Sequence, residues 1–278
     1  MNRRVAAFLV VSVCVRGAAG AQSTTDAVQR CQSYAGPESG NVDGAIAGCT
    51  AVIESDRFTT LQRLDALAAR GILFRKTGRF ELAVVDFTEV LRGRIAADEV
   101  YVERGMALTA MRQPELATAD FNEAIRLNPK NTAALSQRAS AYRQKAQYDA
   151  AIHDLDLAVT LNPQDPWAVS ERGLDHFSKA EYELAIRDFD RALELTPMSA
   201  WTVAYRGAAY LQSGRYDEAI TDLTRALELD DGDAWALYVR GLARKRSGDM
   251  AGAEADIAAA KTRWPDVSAA TARDGLQP

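Results

Sequence analysis

Apolar and polar positions repeat along this chain with a period of 34 residues, from about residue 64 to residue 267. A small residue opens each register, at Gly71, Gly105, Ala139, Gly173, Gly207 and Gly241. Twelve residues later comes alanine, at Ala83, Ala117, Ala151, Ala185, Ala219 and Ala253. Four further on stands a large apolar residue: Phe87, Phe121, Leu155, Phe189, Leu223 and Ile257. Three more bring Val90, Ala124, Ala158, Ala192, Ala226 and Ala260, and in four copies a proline follows, at Pro129, Pro163, Pro197 and Pro265. Steps of three and four place these residues on one face of a helix. Gly78, Gly214 and Gly248 lie between the two apolar runs and suit a left-handed helix end. The Asn-Pro of 128–129 and 162–163 ends the second run. Each period therefore predicts a hairpin of two helices. The small residues allow close approach, and stacking of hairpins buries a continuous core.

A second, polar series shares the period. Arg70, Arg104, Arg138, Arg172, Arg206 and Arg240 each precede the small residue, and Asp86, Asp120, Asp154, Asp188, Asp222 and Asp256 follow sixteen residues after each arginine. A site for chemistry is expected once, whereas six regular copies argue for architecture. The expectation is a ladder in which each planar guanidinium holds a carboxylate, at a repeat boundary or within its own hairpin. The rival reading is a row of arginines that binds an acidic or phosphorylated ligand, and the equal number of aspartates counts against it.

The period, with its Gly, Ala, large apolar and Pro slots, resembles the tetratricopeptide repeat. The aromatic three residues after the glycine is present as Phe74, Tyr142 and Tyr210, but is Leu108, His176 and Arg244 elsewhere, and the ladder arginines stand where the family has leucine. The resemblance implies an all-α solenoid of stacked helix-turn-helix hairpins forming a right-handed superhelix. It divides residues 64–267 into six repeats, 64–97, 98–131, 132–165, 166–199, 200–233 and 234–267. It also implies a concave groove lined by the first helices that takes a protein or peptide partner, with no cofactor. On that face Trp167, Trp201 and Trp235 recur 34 apart, joined by Ser170, Leu174 and Phe177, by Ala204 and Leu211, and by Tyr238 and Leu242. The N-terminal repeats offer Asp65, Ala68, Ile72 and Arg75, then Glu99, Val102 and Met106. An apolar, aromatic C-terminal half could bind an extended or helical segment by burial. Alternatively the tryptophans pack between neighbouring repeats. Trp264, beside Pro265, reads as a packing residue. The lysines and asparagines with which some relatives clamp a terminal carboxylate are absent, since the matching positions carry Ser136, Ser140, Ser170, Leu174, Ala204 and Ala208.

The ends of the chain change the picture of where it works. Arg3 and Arg4, the apolar run Val5 to Val15, and Ala19 to Ala21 have the grammar of a secretory signal peptide cleaved after Ala21. Removing residues 1–21 takes away Arg3, Arg4 and Arg16 and moves the formal charge from −5 to −8. An acidic protein of that kind is a poor candidate for nucleic acid. Cys31 and Cys49 then remain, an even pair that in an exported chain suggests one disulfide, the alternative being two buried thiols. Residues 22–63 read as a degenerate hairpin, with Ala45 and Cys49 in the alanine and large-residue slots, displaced by four residues. A Cys31–Cys49 bridge would staple it and contribute roughly 3 kcal/mol. Residues 268–278 read as a half-repeat cap, since Gly275 is 34 beyond Gly241.

Catalytic motifs are missing. There is no Gly-rich phosphate loop, nucleophile elbow or His-Glu-x-x-His sequence. Two cysteines supply too few metal ligands, and neither His153 nor His176 belongs to a ligand-like spacing. His153 reads as solvated and His176, in the aromatic slot, as core packing. No other segment is apolar enough to span a bilayer. The expectation is a periplasmic or secreted scaffold that mediates protein–protein contacts, in envelope assembly, and is not an enzyme. The second reading is a non-catalytic accessory or regulatory subunit of one exported enzyme.

Overall fold

The computed structural model describes residues 26–31, 41–93 and 97–276, and the signal-peptide reading lies outside them. All regular structure among these residues is helical. The helices are α1 (residues 26–31), α2 (Val42–Glu54), α3 (Thr60–Lys76), α4 (Phe80–Arg92), α5 (Asp98–Ala110), α6 (Pro114–Leu127), α7 (Thr132–Gln144), α8 (Tyr148–Leu161), α9 (Pro166–Ser178), α10 (Tyr182–Leu195), α11 (Ala200–Gln212), α12 (Tyr216–Leu229), α13 (Ala234–Ser247), α14 (Met250–Arg263) and α15 (Val267–Arg273). The chain divides between Ala134 and Leu135, inside α7, into two compact units. In the first unit α2 to α6 pack each on the next. In the second, α8 to α14 do the same, and α15 lies against α13 and α14. The fold is an all-α solenoid of hairpins.

Close approach within each hairpin comes from the small-residue slot. A Cβ added at Gly105 would stand 2.5 Å from the Phe121 ring, and one at Gly173 would stand 2.9 Å from Phe189. Both phenylalanines are fully buried. First helices start on polar caps: Thr59 in a reciprocal box with Gln62, Asp165 on the Trp167 N–H, Ser199 on Thr202 and Asp233 on Ala236. Second helices end where the N–H of Asn128, Asn162, Thr196, Asp230 and Trp264 bonds the carbonyl of the alanine four residues before it.

The turn between the two helices is more uniform than its residues. Gly78, Gly214 and Gly248 are left-handed, as the glycines suggest, but so are Arg112 (φ 58), Ala146 (φ 55) and Ala180 (φ 59) at the same slot. In every copy the next N–H reaches back to a carbonyl five residues earlier, as from Gln147 to Tyr142 and Glu181 to His176. That hydrogen bond closes the end of the first helix only if the slot residue is left-handed. Tertiary geometry imposes the conformation even where a side chain opposes it.

At the N-terminus α1 and α2 are joined through Cys31 and Cys49, with Cα atoms 4.6 Å apart. Both cysteines are buried in a cluster with Ala27, Ala45, Val52 and Phe58.

Candidate partner-binding face

The recurring arginines sit between hairpins. In each, Nε and Nη2 donate to the two carboxylate oxygens of the aspartate sixteen residues on, in its own hairpin, at 2.6–2.9 Å. In Arg70, Arg104, Arg172, Arg206 and Arg240, Nη1 reaches the preceding repeat. From Arg104 it donates to Thr88, from Arg172 to Asp156, from Arg206 to Asp190 and from Arg240 to Thr224, each sixteen residues back. From Arg70 it donates to Thr50, twenty residues back, which matches the four-residue displacement of the first hairpin. The aspartates are buried, from 2% exposed at Asp154 to 8% at Asp188. The hydrogen bonds each donates to its aspartate raise the pKa of Arg104, Arg138, Arg172 and Arg206 and hold them charged. Where the aromatic slot is filled, the guanidinium lies over its ring, Arg70 over Phe74, Arg138 over Tyr142 and Arg206 over Tyr210, at 5.6–5.9 Å. With protein oxygens on the fork, these guanidinia are poorly placed to read an external anion.

His176 corrects the packing expectation. It is half-buried in the aromatic slot, but Nδ1 lies 2.7 Å from Glu181 Oε2 and Nε2 lies 4.0 Å from Asp188. An imidazole is smaller than a tyrosine ring and has two polar edges, so it joins the carboxylates. His153 is exposed, as expected of a solvated residue.

The ten residues expected in the groove separate sharply. Trp167 and Trp201 are 41% and 39% exposed. Leu174 and Trp235 are half-buried. Ser170, Phe177, Ala204, Leu211, Tyr238 and Leu242 are buried. The last five of these belong to one buried apolar cluster of the second unit. Trp264 moves the other way: it is 41% exposed and contributes its backbone N–H to the end of α14 rather than a buried ring.

Trp167 and Trp201 flank a cleft of about 300 Å³ between the starts of α9 and α11, also lined by Pro166, Ser170, Glu171, Thr196 and Ser199. From Trp201 the aromatic surface continues inward. Its ring lies 4.7 Å from Tyr205, and Tyr205 stacks on Trp235 at 4.7 Å and 26°. Tyr205 was not singled out by sequence, although it lies one turn after Trp201 on the same helix face. Burial pushes the Tyr205 hydroxyl up to about 12.

Beside the cleft, Arg143 donates to Glu171 at 2.6 Å and to Asp175 at 2.5 Å. Asp175 is fully buried, and its Oδ2 has no hydrogen-bond partner. Burial pushes its carboxyl up to about 6, against the opposing pull of Arg143. The same slot holds Ala107, Ala141, Ala209 and Ala243 in other copies, so Asp175 was legible as a departure from the period. In the first unit Arg75 and Glu103 form the matching pair at 2.6 Å without a third partner of this kind.

A family profile described as a tetratricopeptide repeat matches residues 102–166, and another described as a TPR repeat matches residues 207–248. The chain carries tetratricopeptide repeats in both stretches. Solved structures similar to it include a tetratricopeptide repeat protein from Parabacteroides merdae, at 19% identity and TM-score 0.70, covering 92% of this chain and 100% of that one. PilF from Pseudomonas aeruginosa has 18% identity and TM-score 0.65, over 73% and 92% of the two chains. YrrB, described as a TPR protein with an unusual peptide-binding site, has 21% identity and TM-score 0.54, over 68% and 98%. At these identities the likeness is one of fold. No curated protein matches the sequence. Among the described residues, no helix of this tetratricopeptide repeat protein is long and apolar enough to cross a membrane, and no cluster of His, Cys, Asp and Glu could hold a metal ion.

Proposed function

We propose that this protein is an exported, non-catalytic scaffold that holds a segment of a partner protein on the first-helix face of its second unit, at the Trp167–Trp201 cleft, in the service of envelope assembly. The observation that carries the reading is the pair of exposed indoles across a cleft, continued by the Tyr205–Trp235 stack. Large rings held rigidly at a partly open site become binding hot spots once a partner excludes water. A fold relative described as having a peptide-binding site supports a peptide as ligand. The arginine–aspartate forks serve as framework in this reading, holding each hairpin together.

Photocrosslinking tests it. A photoreactive amino acid at position 167 or 201, in cells that make the protein, should trap a defined partner, while the same probe at Asp65 or Glu99 should not. Equal crosslinking at all four positions, or none at 167 and 201, overturns the assignment. Export makes a separate demand on the cysteines. Cys31 and Cys49 should resist alkylation in the folded, purified protein until reductant is added, and full labelling without reductant would refute the oxidised pair.

A further inference from the structure

The first-helix face of the second unit is open at Trp167 and Trp201 but covered further on. After α15 the chain turns back over α11 and α13. Gly275 is left-handed (φ 78), and the Leu276 N–H bonds Thr271 O at 3.0 Å, closing a tight hook. Asp274 Oδ2 accepts from Trp235 Nε1 at 2.9 Å, and Gln212 Nε2 donates to Gly275 O at 2.8 Å. The Leu276 side chain is 1% exposed and joins the apolar cluster that contains Leu211, Tyr238 and Leu242. The C-terminal hook therefore sits where a ligand of the last two repeats would sit, and makes the contacts of a ligand: an acid to an indole, an amide to a backbone carbonyl, and one buried leucine.

The hook has only a short helix behind it. The helix behind it, α15, has seven residues, too few to be stable without docking, and buries only Val267 and Thr271. Such an element opens at a small fraction of the free energy of the whole unit.

We propose that the α11–α13 stretch of this face is a peptide site whose present occupant is the chain's own segment Asp274–Leu276, and that a partner binds there by displacing it with the same chemistry, a carboxylate and a leucine joined across a left-handed turn. The proposal rests on the second unit's first-helix face being the partner face. It leaves the Trp167–Trp201 cleft as the open entry and the α11–α13 stretch as the gated continuation.

The probe is a dye-labelled synthetic peptide of residues 267–278, read by fluorescence anisotropy against the full chain. Leu276→Glu in the protein should release the hook, and the wild-type peptide should then bind at least tenfold more tightly than it binds the unmodified protein. A peptide carrying the same Leu276→Glu change should bind neither. Equal binding to both proteins, or no binding to a variant that keeps its helical signal, overturns the proposal. If Leu276→Glu costs the fold, the milder Gln212→Ala/Asp274→Ala protein, which loses only the two polar ties, should show a gain of about threefold or more, and no gain overturns it. Crosslinks at position 201 without peptide binding would reject the gated site and leave the partner face standing. Peptide binding without crosslinks would do the reverse.

Discussion

The two units are built on one framework and differ in what they show to solvent. The first has Asp65 and Glu99 at the slot where the second has Trp167, Trp201 and Trp235. Both carry the same bidentate forks, at Arg70 and Arg104 in one and at Arg172 and Arg206 in the other. Both close the first helix on a left-handed residue, Arg112 in one and Ala180 in the other. A fold that repeats its internal geometry can therefore vary one slot while its forks and turns stay the same. The cross-repeat contact varies as well. Arg104 meets a neutral Thr88, while Arg172 and Arg206 meet Asp156 and Asp190.

The sharpest test of a shared framework is to remove one fork from each unit. Arg172→Leu leaves Asp188 buried without its partner, and Arg104→Leu does the same to Asp120. Breaking a largely buried pair from one side costs about 3–5 kcal/mol. Both variants should lose stability on that scale in urea unfolding followed by circular dichroism. Arg172→Leu with Asp188→Leu should recover more than half, because it removes the stranded carboxylate. A single variant that melts like its parent would make the forks ornamental.

A smaller effect should appear at the turns. Ala180→Gly in the second unit and Arg112→Gly in the first both relieve a left-handed residue, and each should gain about 1 kcal/mol. Gly214→Ala should lose a similar amount. A loss of stability in both glycine variants would show that the left-handed conformation carries no strain there.

A third effect separates the units by pH. The Asp175 carboxyl sits at about 6 in the folded chain, above the ordinary value of about 3.9 it regains on unfolding. The folded state therefore holds that proton more tightly. The stability this group contributes is present below about pH 4 and is lost as pH rises through about 6. Between pH 5 and 7 the wild-type protein should lose stability relative to Asp175→Asn. In the first unit the same slot is Ala107, so Ala107→Ser should leave the pH profile unchanged. A wild-type profile parallel to that of Asp175→Asn would place the titration elsewhere.

Much of this was legible in advance, because the residues that build the framework recur at a fixed period of 34. The helix pairs, their bounds near the proline and glycine slots, and the arginine–aspartate spacing follow from period alone. The open question was the partner of each arginine, within its hairpin or across the boundary. The structure does both at once, since a guanidinium has donors on two edges and stands between two second helices. The groove was less legible. A 34-residue recurrence places Tyr238 and Leu242 on the same helix side as Trp201, but it does not say what lies over them. Leu276, near the end of the chain and outside the repeat, joins their apolar cluster.

The sequence by itself determined what is local and periodic: which residues are helical, which face each helix buries, and that charge is paired inside the stack. Those depend on spacings of three, four and thirty-four residues, which a linear text records in full. Only the tertiary structure decided which aromatic rings stay open, that Tyr205 bridges Trp201 and Trp235, and that the turn at Ala180 must be left-handed. Exposure and backbone strain are set by neighbours brought from other turns of the stack, and no spacing along the chain measures how close they come.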